Sequence, residues 1–222
     1  GEIPLKKEGM LDLLVNSSIG LKSVSSSRLN VAAKLPFEFT PKGLSFGELF
    51  ADVNLKPFPL SPIGSIIGTP LAGTLAAKGE IVGPITALQP NLQIGIVNPQ
   101  ASQLRLQEEW RGDLLGRPDG GAKLSMASVR APVPGSLSAS FNRNWLFHNL
   151  TINRLGGQIS VDRTQDRFTW EAQDFRLDRV EVAINPEQSF KRIFGKLKGE
   201  GSFQMDPVAF DGEMKILFPR YM

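Results

Sequence analysis

The chain contains no cysteine and a single histidine, His148. The absence of cysteine excludes disulfide frameworks, thiolate nucleophiles and cysteine metal sites. One histidine excludes a multi-histidine metal site and disfavours a Ser-His-Asp arrangement, and we interpret His148 as a polar-face or rim residue. The sequence therefore predicts no catalytic residues, no metal and no cofactor, and we expect a protein that is not an enzyme.

Paired acids suited to catalysis are also missing. Glu108 and Glu109 are adjacent, so in a strand they point to opposite faces and cannot share a proton. Asp162 and Asp166 flank a predicted turn beside Arg163, where solvated hairpin charges are a better interpretation than a glycosidase pair. Gly195–Gly201 is glycine-rich but lacks the Gly-Lys-Ser/Thr ending of a phosphate-binding loop.

Long apolar runs and charge of one sign are equally scarce. No run of about 18 apolar residues occurs, so no transmembrane helix is predicted. The chain has 25 basic and 22 acidic residues, and its phenylalanines lie in phase with aliphatic residues, so we predict no nucleic-acid partner. The sequence begins at Gly1 without a recognisable signal peptide. We interpret it as an excised segment of a longer protein whose targeting segment lies outside.

The dominant pattern is a strict alternation of apolar and polar residues. It begins at Leu29–Phe39, recurs at Leu49–Leu55, and ends at Met214–Phe218. Because successive strand side chains point to opposite faces, each run predicts a strand with one apolar and one polar face. We therefore predict an all-β fold built mainly from a meander of antiparallel strands. Residues 1–28 are left as an N-terminal segment without an assignment.

Turn residues separate the predicted strands. Arg117–Gly121 contains Pro-Asp-Gly-Gly, and Leu155–Gln158 and Phe210–Glu213 have the composition of hairpin tips.

Only one or two short helices are predicted. Pro186–Phe194 is the best candidate, with Pro near the start and Gly195 after the end. Pro62–Gly68 could form a second short helix, and Met10–Val15 one or two helical turns.

A faint internal repeat and several short motifs resemble a known family. Leu71–Ile81 and Ile193–Phe203 share the pattern apolar-x-Gly-x-Leu-x-x-x-Gly-x-apolar. Together with Leu155–Val161 and Gly212–Ile216, they resemble the C-terminal region of the translocation and assembly module TamB, within the AsmA-like group. Ala87–Asn91 is similar to members from cyanobacteria and the chloroplast envelope.

The resemblance implies a specific function. Such proteins are anchored in the inner membrane, cross the periplasm or intermembrane space, and reach an Omp85-type outer-membrane protein. The resemblance implies a single domain over residues 29–222, an elongated, curled antiparallel or mixed sheet whose apolar interior forms a β-taco trough. In the family this trough is associated with phospholipid transport and with assembly of outer-membrane proteins. No catalytic residue is implied.

The residues agree with a trough that binds phospholipid acyl chains, because an open apolar face suits a ligand that gains about 0.8 kcal/mol per buried CH₂. Two alternatives stay open: a docking module that offers its edge to an outer-membrane partner or nascent strands, and a purely structural sandwich whose apolar face is a filled core. The predicted lining residues of the trough are the in-phase apolar residues Leu92, Ile94, Ile96, Leu124, Met126, Phe141, Ile159, Val161, Phe168, Trp170, Val182, Ile184, Met214 and Ile216.

Overall fold

The computed structural model is nearly all β, with 77% of residues in strands and 2% in helix. It describes residues 8–19, 27–67, 70–129, 135–178, 180–183, 189–205 and 208–218. The strands are β1 (Glu8–Ile19), β2 (Ser27–Thr40), β3 (Gly43–Phe46), β4 (Glu48–Pro59), β5 (Leu71–Pro84), β6 (Gln89–Ala101), β7 (Leu104–Leu106), β8 (Glu109–Gly116), β9 (Ala122–Val129), β10 (Ser136–Phe141), β11 (Phe147–Arg154), β12 (Gly157–Thr164), β13 (Arg167–Arg176), β14 (Val180–Val182), β15 (Lys191–Arg192), β16 (Lys196–Met205) and β17 (Val208–Leu217). One helix, α1 (Ser61–Ile67), follows β4.

The long strands form an open antiparallel meander. Neighbours in the chain pair in the order β1-β2-β4-β5-β6-β8-β9-β10-β11-β12-β13-β16-β17. β3 continues the line of β4 along β2. The all-β prediction is confirmed, and the sheet is open rather than closed into a barrel. Every ladder between described strands is antiparallel, so the sheet is not mixed.

Local backbone chemistry explains one predicted hairpin and rejects another. Leu155 and Gly156, between β11 and β12, both have positive φ, at 50° and 83°. Positive φ at both central residues is the requirement of a type I′ turn, whose twist matches the strands it joins. The predicted tip at Phe210–Glu213 is wrong, because these residues lie inside β17 and pair with β16. Pairing along the full length of β16 and β17 therefore outweighs the turn preference of Asp211-Gly212.

The helix predictions have mixed outcomes. α1 confirms the short helix predicted around Pro62–Gly68. The helix predicted at Pro186–Phe194 is wrong over its described part, because Lys191–Arg192 form β15 and pair with β14. Met10–Val15 lies in β1, where twelve ladder pairs with β2 replace the predicted helical turns. A short apolar run fits either period, and here tertiary pairing decides.

The register keeps apolar and polar residues in separate lateral rows across the whole sheet. One row crosses all thirteen long strands without a polar side chain: Val15, Val31, Val53, Gly79, Leu92, Leu114, Leu124, Ala139, Leu150, Val161, Trp170, Gly201 and Gly212. The adjacent row is entirely polar: Asn16, Asn30, Asn54, Lys78, Gln93, Asp113, Ser125, Ser138, Thr151, Ser160, Glu171, Glu200 and Glu213. We call the two sides of the sheet the apolar face and the polar face.

The sheet curls so strongly that two distant connections pair. β7 lies between β6 and β8, and β14 follows β13, yet Leu104–Leu106 pair with Val180–Val182. Five strand spacings separate β8 from β13, about 24 Å in a flat sheet at about 4.8 Å per strand. The β7–β14 ladder, which we call the bridge, is possible only because the intervening strands curve toward each other. The bridge closes one end of the part of the sheet that runs from β6 to β14, which we call the curled half.

Candidate functional site

The predicted trough residues converge on the apolar face. Twelve of the fourteen lie at apolar-face positions of β6, β9, β10, β12, β13 and β17. They are Leu92, Ile94, Ile96, Leu124, Met126, Phe141, Ile159, Val161, Phe168, Trp170, Met214 and Ile216. Val182 lies in the bridge instead, and Ile184 lies outside the described residues. The alternation pattern therefore identified residues of one face of the sheet, but these residues differ in how far they are buried.

Burial differs between the centre of the apolar face and its margins. In the curled half, Leu92 is 8% exposed and Met126 5%, and Trp110 and Phe175 are also buried. On the outermost strands, Leu13 is 53% and Met214 62% exposed. Leu92 and Met126 are thus core residues and their apolar neighbours on β6 to β13 are mostly half-buried, whereas the margins on β1, β3 and β17 present large apolar side chains to solvent. The most exposed of the predicted trough residues, Met214 and Ile216, lie at the β17 margin.

A buried ion pair anchors the closed end. Arg154, at the end of β11, donates to the carboxylate of Glu108, just before β8, and to the backbone carbonyl of Asp178. The two charged side chains are 4% and 2% exposed. These bonds join the end of β11 to the segments at Glu108 and Asp178, so charged contacts support the curl as well as backbone pairing.

The bridge carries its own charged contacts. Arg105 of β7 lies 2.5 Å from Glu181 of β14, and Arg192 of β15 is 3.8 Å from the same carboxylate. The Arg105 guanidinium also lies 4.3 Å from the ring centre of Phe190. These contacts join β7, β14 and β15, and they add a cation–π interaction between Arg105 and Phe190.

A further charge pair sits beside the closed end. The Arg176 guanidinium donates a 2.8 Å hydrogen bond to Asp178 and holds the pKa of that carboxyl below its usual range. Because the folded protein favours the ionised form, this pair contributes stability above the ordinary pKa of Asp, and the contribution is lost as pH falls through the lowered pKa.

The opposite end of the curled half carries a row of aromatic rings. Phe147 stacks on Phe168 with ring centres 6.2 Å apart, and Phe168 stacks on Phe203 at 4.6 Å. Phe141 meets Phe147 edge-on at 6.5 Å. Arg163 lies over Phe168, with 5.4 Å between the guanidinium carbon and the ring centre. We call these four rings the phenylalanine row.

The polar face carries two depressions of similar volume. One of about 720 Å³ is lined by residues such as Asp162, Arg167 and Glu200, and one of about 730 Å³ by residues such as Lys78, Gln93 and Asp113. Their linings mix both signs of charge and face solvent. The described residues contain no group of three His, Cys, Asp or Glu side chains able to hold a metal ion.

Sequence reasoning missed the charged residues of the apolar face. Glu108 and Glu109 do point apart, but Glu108 is buried against Arg154 while Glu109 contacts Arg111 on the surface. A signal was present: Glu108 is in phase with Trp110, as Arg154 is with Ile152. A charged residue in phase with apolar ones needs a partner, but only the fold shows which one.

In the part of the chain that the structure describes, no helix is long and apolar enough to cross a membrane. Comparison of the chain with protein-family models, with curated proteins and with solved structures gives no match.

Proposed function

We propose that this chain is a segment of a TamB-like protein of the cell envelope and that its apolar face binds phospholipid acyl chains during their transfer between the inner and outer membranes. In this proposal the parent protein is anchored in the inner membrane, the segment lies in the periplasm or intermembrane space, and the chain catalyses no reaction. The partner at the far end is an Omp85-type outer-membrane protein.

The observation that carries the proposal is the unbroken apolar row across all thirteen long strands, ending in exposed margins. A sheet that serves only as a core has no need to keep large apolar side chains on its outermost strands. Leu11 and Leu13 on β1, and Phe210 and Met214 on β17, are each more than half exposed. Contiguous exposed apolar surface of this kind marks a binding or interaction site. Acyl chains match it because they need no polar partner.

The proposal is tested with substitutions on the two faces of the same strands. Leu13→Asp and Met214→Asp place a charge on the apolar face, whereas Leu14→Asp and Leu217→Asp place it on the polar face at side chains that are also exposed. Lipid retained after gentle extraction is measured by native mass spectrometry. We expect the first pair to lose bound phospholipid and the second pair to keep it. Equal lipid content in both pairs, or none in the unmodified chain, would contradict the proposal.

A second candidate function rests on the two edges of the sheet. Within the described residues, β1 pairs with β2 alone and β17 with β16 alone, so each presents unpaired N–H and C=O groups along its outer side. Such an edge could add a strand from an outer-membrane partner or a nascent barrel protein by β-augmentation. Stable capture of a peptide from an outer-membrane barrel strand by lipid-free protein, retained in Leu13→Asp, would favour this function.

A further inference from the structure

Arg163 is a charged residue at an apolar-face position. It lies two residues after Val161 on β12 and directly opposite Phe168 on β13. Its side chain is only 25% exposed, so most of it is packed against the phenylalanine row. Burying a guanidinium on an apolar surface is costly unless its donors find partners.

The protein supplies few of those partners. Nε donates a 2.7 Å hydrogen bond to the carbonyl of Gln165 in the following turn. The carboxylate of Asp166 lies 3.9 Å from Nη2, too far for a hydrogen bond, and that side chain is 79% exposed. Among the described residues, neither Nη group has a hydrogen-bond acceptor. Both Nη groups of Arg163 are accessible to solvent, because neither is among the buried side-chain atoms that lack a hydrogen-bond partner.

The surroundings define what such a donor pair can bind. A guanidinium offers two parallel N–H bonds to phosphate oxygens. Next to it, the phenylalanine row continues through Phe203 toward Phe210, whose ring lies 6.4 Å from Trp170 on the exposed margin of β17. The site thus places a hydrogen-bond donor suited to phosphate at one end of an apolar surface.

The dimensions of that surface suit a lipid. On β17, exposed apolar side chains extend from Phe210 to Ile216, six residues or about 20 Å at about 3.4 Å per residue. The acyl layer of one leaflet is about 15 Å deep, half of a hydrocarbon core of about 30 Å. An acyl chain lying along β17 therefore ends near the phenylalanine row.

We propose that Arg163 binds the phosphate of a glycerophospholipid headgroup and so fixes the orientation of the lipid, with the headgroup at the phenylalanine row and the acyl chains along the β17 margin. The inference rests on the proposed lipid-binding function. It adds the chemistry that distinguishes one lipid class from another, which the apolar face by itself does not provide.

The test compares three soluble probes on the full chain: a short-chain phosphatidylglycerol, the diacylglycerol with the same acyl chains, and inorganic phosphate. Binding is measured by calorimetry for the unmodified protein, Arg163→Gln and Arg163→Lys. Arg167→Gln is the matched control, because Arg167 lies on the neighbouring strand, faces the polar side and donates to Ser202. Circular dichroism and thermal unfolding establish that each variant is folded.

We expect the unmodified protein to bind phosphatidylglycerol about tenfold or more tightly than diacylglycerol, as a charge-assisted bond to phosphate implies. Arg163→Gln should remove that preference while leaving diacylglycerol binding unchanged, Arg163→Lys should restore part of it, and Arg167→Gln should resemble the unmodified protein.

Other results overturn the inference in distinguishable ways. Equal binding of phosphatidylglycerol and diacylglycerol by the unmodified protein means that the apolar face binds lipid without recognising phosphate. Inorganic phosphate binding as tightly as the phospholipid means a free-anion site. If Arg163→Gln weakens both lipids equally, the residue is structural. Absence of binding to either lipid contradicts the proposed function itself.

Discussion

Arg154 and Glu108 form a buried ion pair at the closed end of the curled half. Both are almost fully buried, and Arg154 also donates to the carbonyl of Asp178. Removing one partner of a buried pair leaves an uncompensated charge, which costs about 3–5 kcal/mol, whereas replacing both by apolar residues is often close to neutral. The pair therefore fixes the geometry of the curl more than it adds net stability.

Arg154→Met is expected to lower the free energy of unfolding by about 3–5 kcal/mol, and Glu108→Leu with Arg154→Met to lower it by clearly less, because the double variant leaves no orphaned charge. Denaturant unfolding measures both. Arg111→Met is the control, since its pair with Glu109 is on the surface, with the Arg111 side chain 67% exposed, and should change stability by less than about 1 kcal/mol. Equal losses in the single and double variants would show that the pair is not coupled.

At the scale of elements, the glycines of the sheet differ in whether the neighbouring strand leaves room for a side chain. A Cβ on Gly112 of β8 would lie 1.9 Å from the carbonyl oxygen of Ser125 and 2.6 Å from the Cα of Met126, both on β9. Gly95 of β6, which lies on the polar face in phase with Gln93, has nothing within 4 Å of that position. Side-chain volume is therefore excluded at one glycine of the sheet and permitted at another.

Gly112→Ala is expected to destabilise the protein by about 2–3 kcal/mol or more, because backbone atoms of β9 must move to admit the methyl group. Gly95→Ala should be neutral or slightly stabilising, since alanine has less backbone freedom to lose on folding. Thermal unfolding of the two variants compares them directly. Similar melting temperatures would show that β8 and β9 are not as close as the structure places them.

The elements also show where sequence patterns succeed and fail. Alternation located most of the strands, and positive φ at Leu155 and Gly156 explains the hairpin between β11 and β12. Turn composition at Phe210–Glu213 and a helix-like pattern at Pro186–Phe194 misled the prediction. In the described parts of both, ladder pairing with the preceding strand outweighs the local preference for a turn or a helix.

At the scale of the whole molecule, the bridge determines which part of the apolar face is core and which part is exposed. It joins segments 76 residues apart, as in the Arg105–Glu181 contact. The bridge closes one end of the curled half, in which Trp110 and Met126 are each 5% exposed.

A cysteine pair tests the curl, and the natural absence of cysteine keeps the experiment simple. Leu104 and Val182 lie directly opposite each other in the bridge, where antiparallel Cα atoms are about 4.5–5.5 Å apart, within the range of a disulfide. Leu104→Cys with Val182→Cys should oxidise readily and stabilise the protein by about 2–4 kcal/mol. Thiol titration and unfolding in the presence and absence of reductant measure this. Persistently free thiols under oxidising conditions would argue against the bridge.

The sequence by itself determined the all-β class and the separation of polar from apolar side chains, because alternation is a local property: each residue faces opposite to its neighbours. Most of the apolar residues of the candidate site could be found in this way. Only the tertiary structure decided that Leu92 is core while Met214 is exposed, that Glu108 meets Arg154, and that Arg163 lies over the phenylalanine row. These outcomes depend on strand register and on the curl of the sheet, which arise from contacts between residues far apart in the chain.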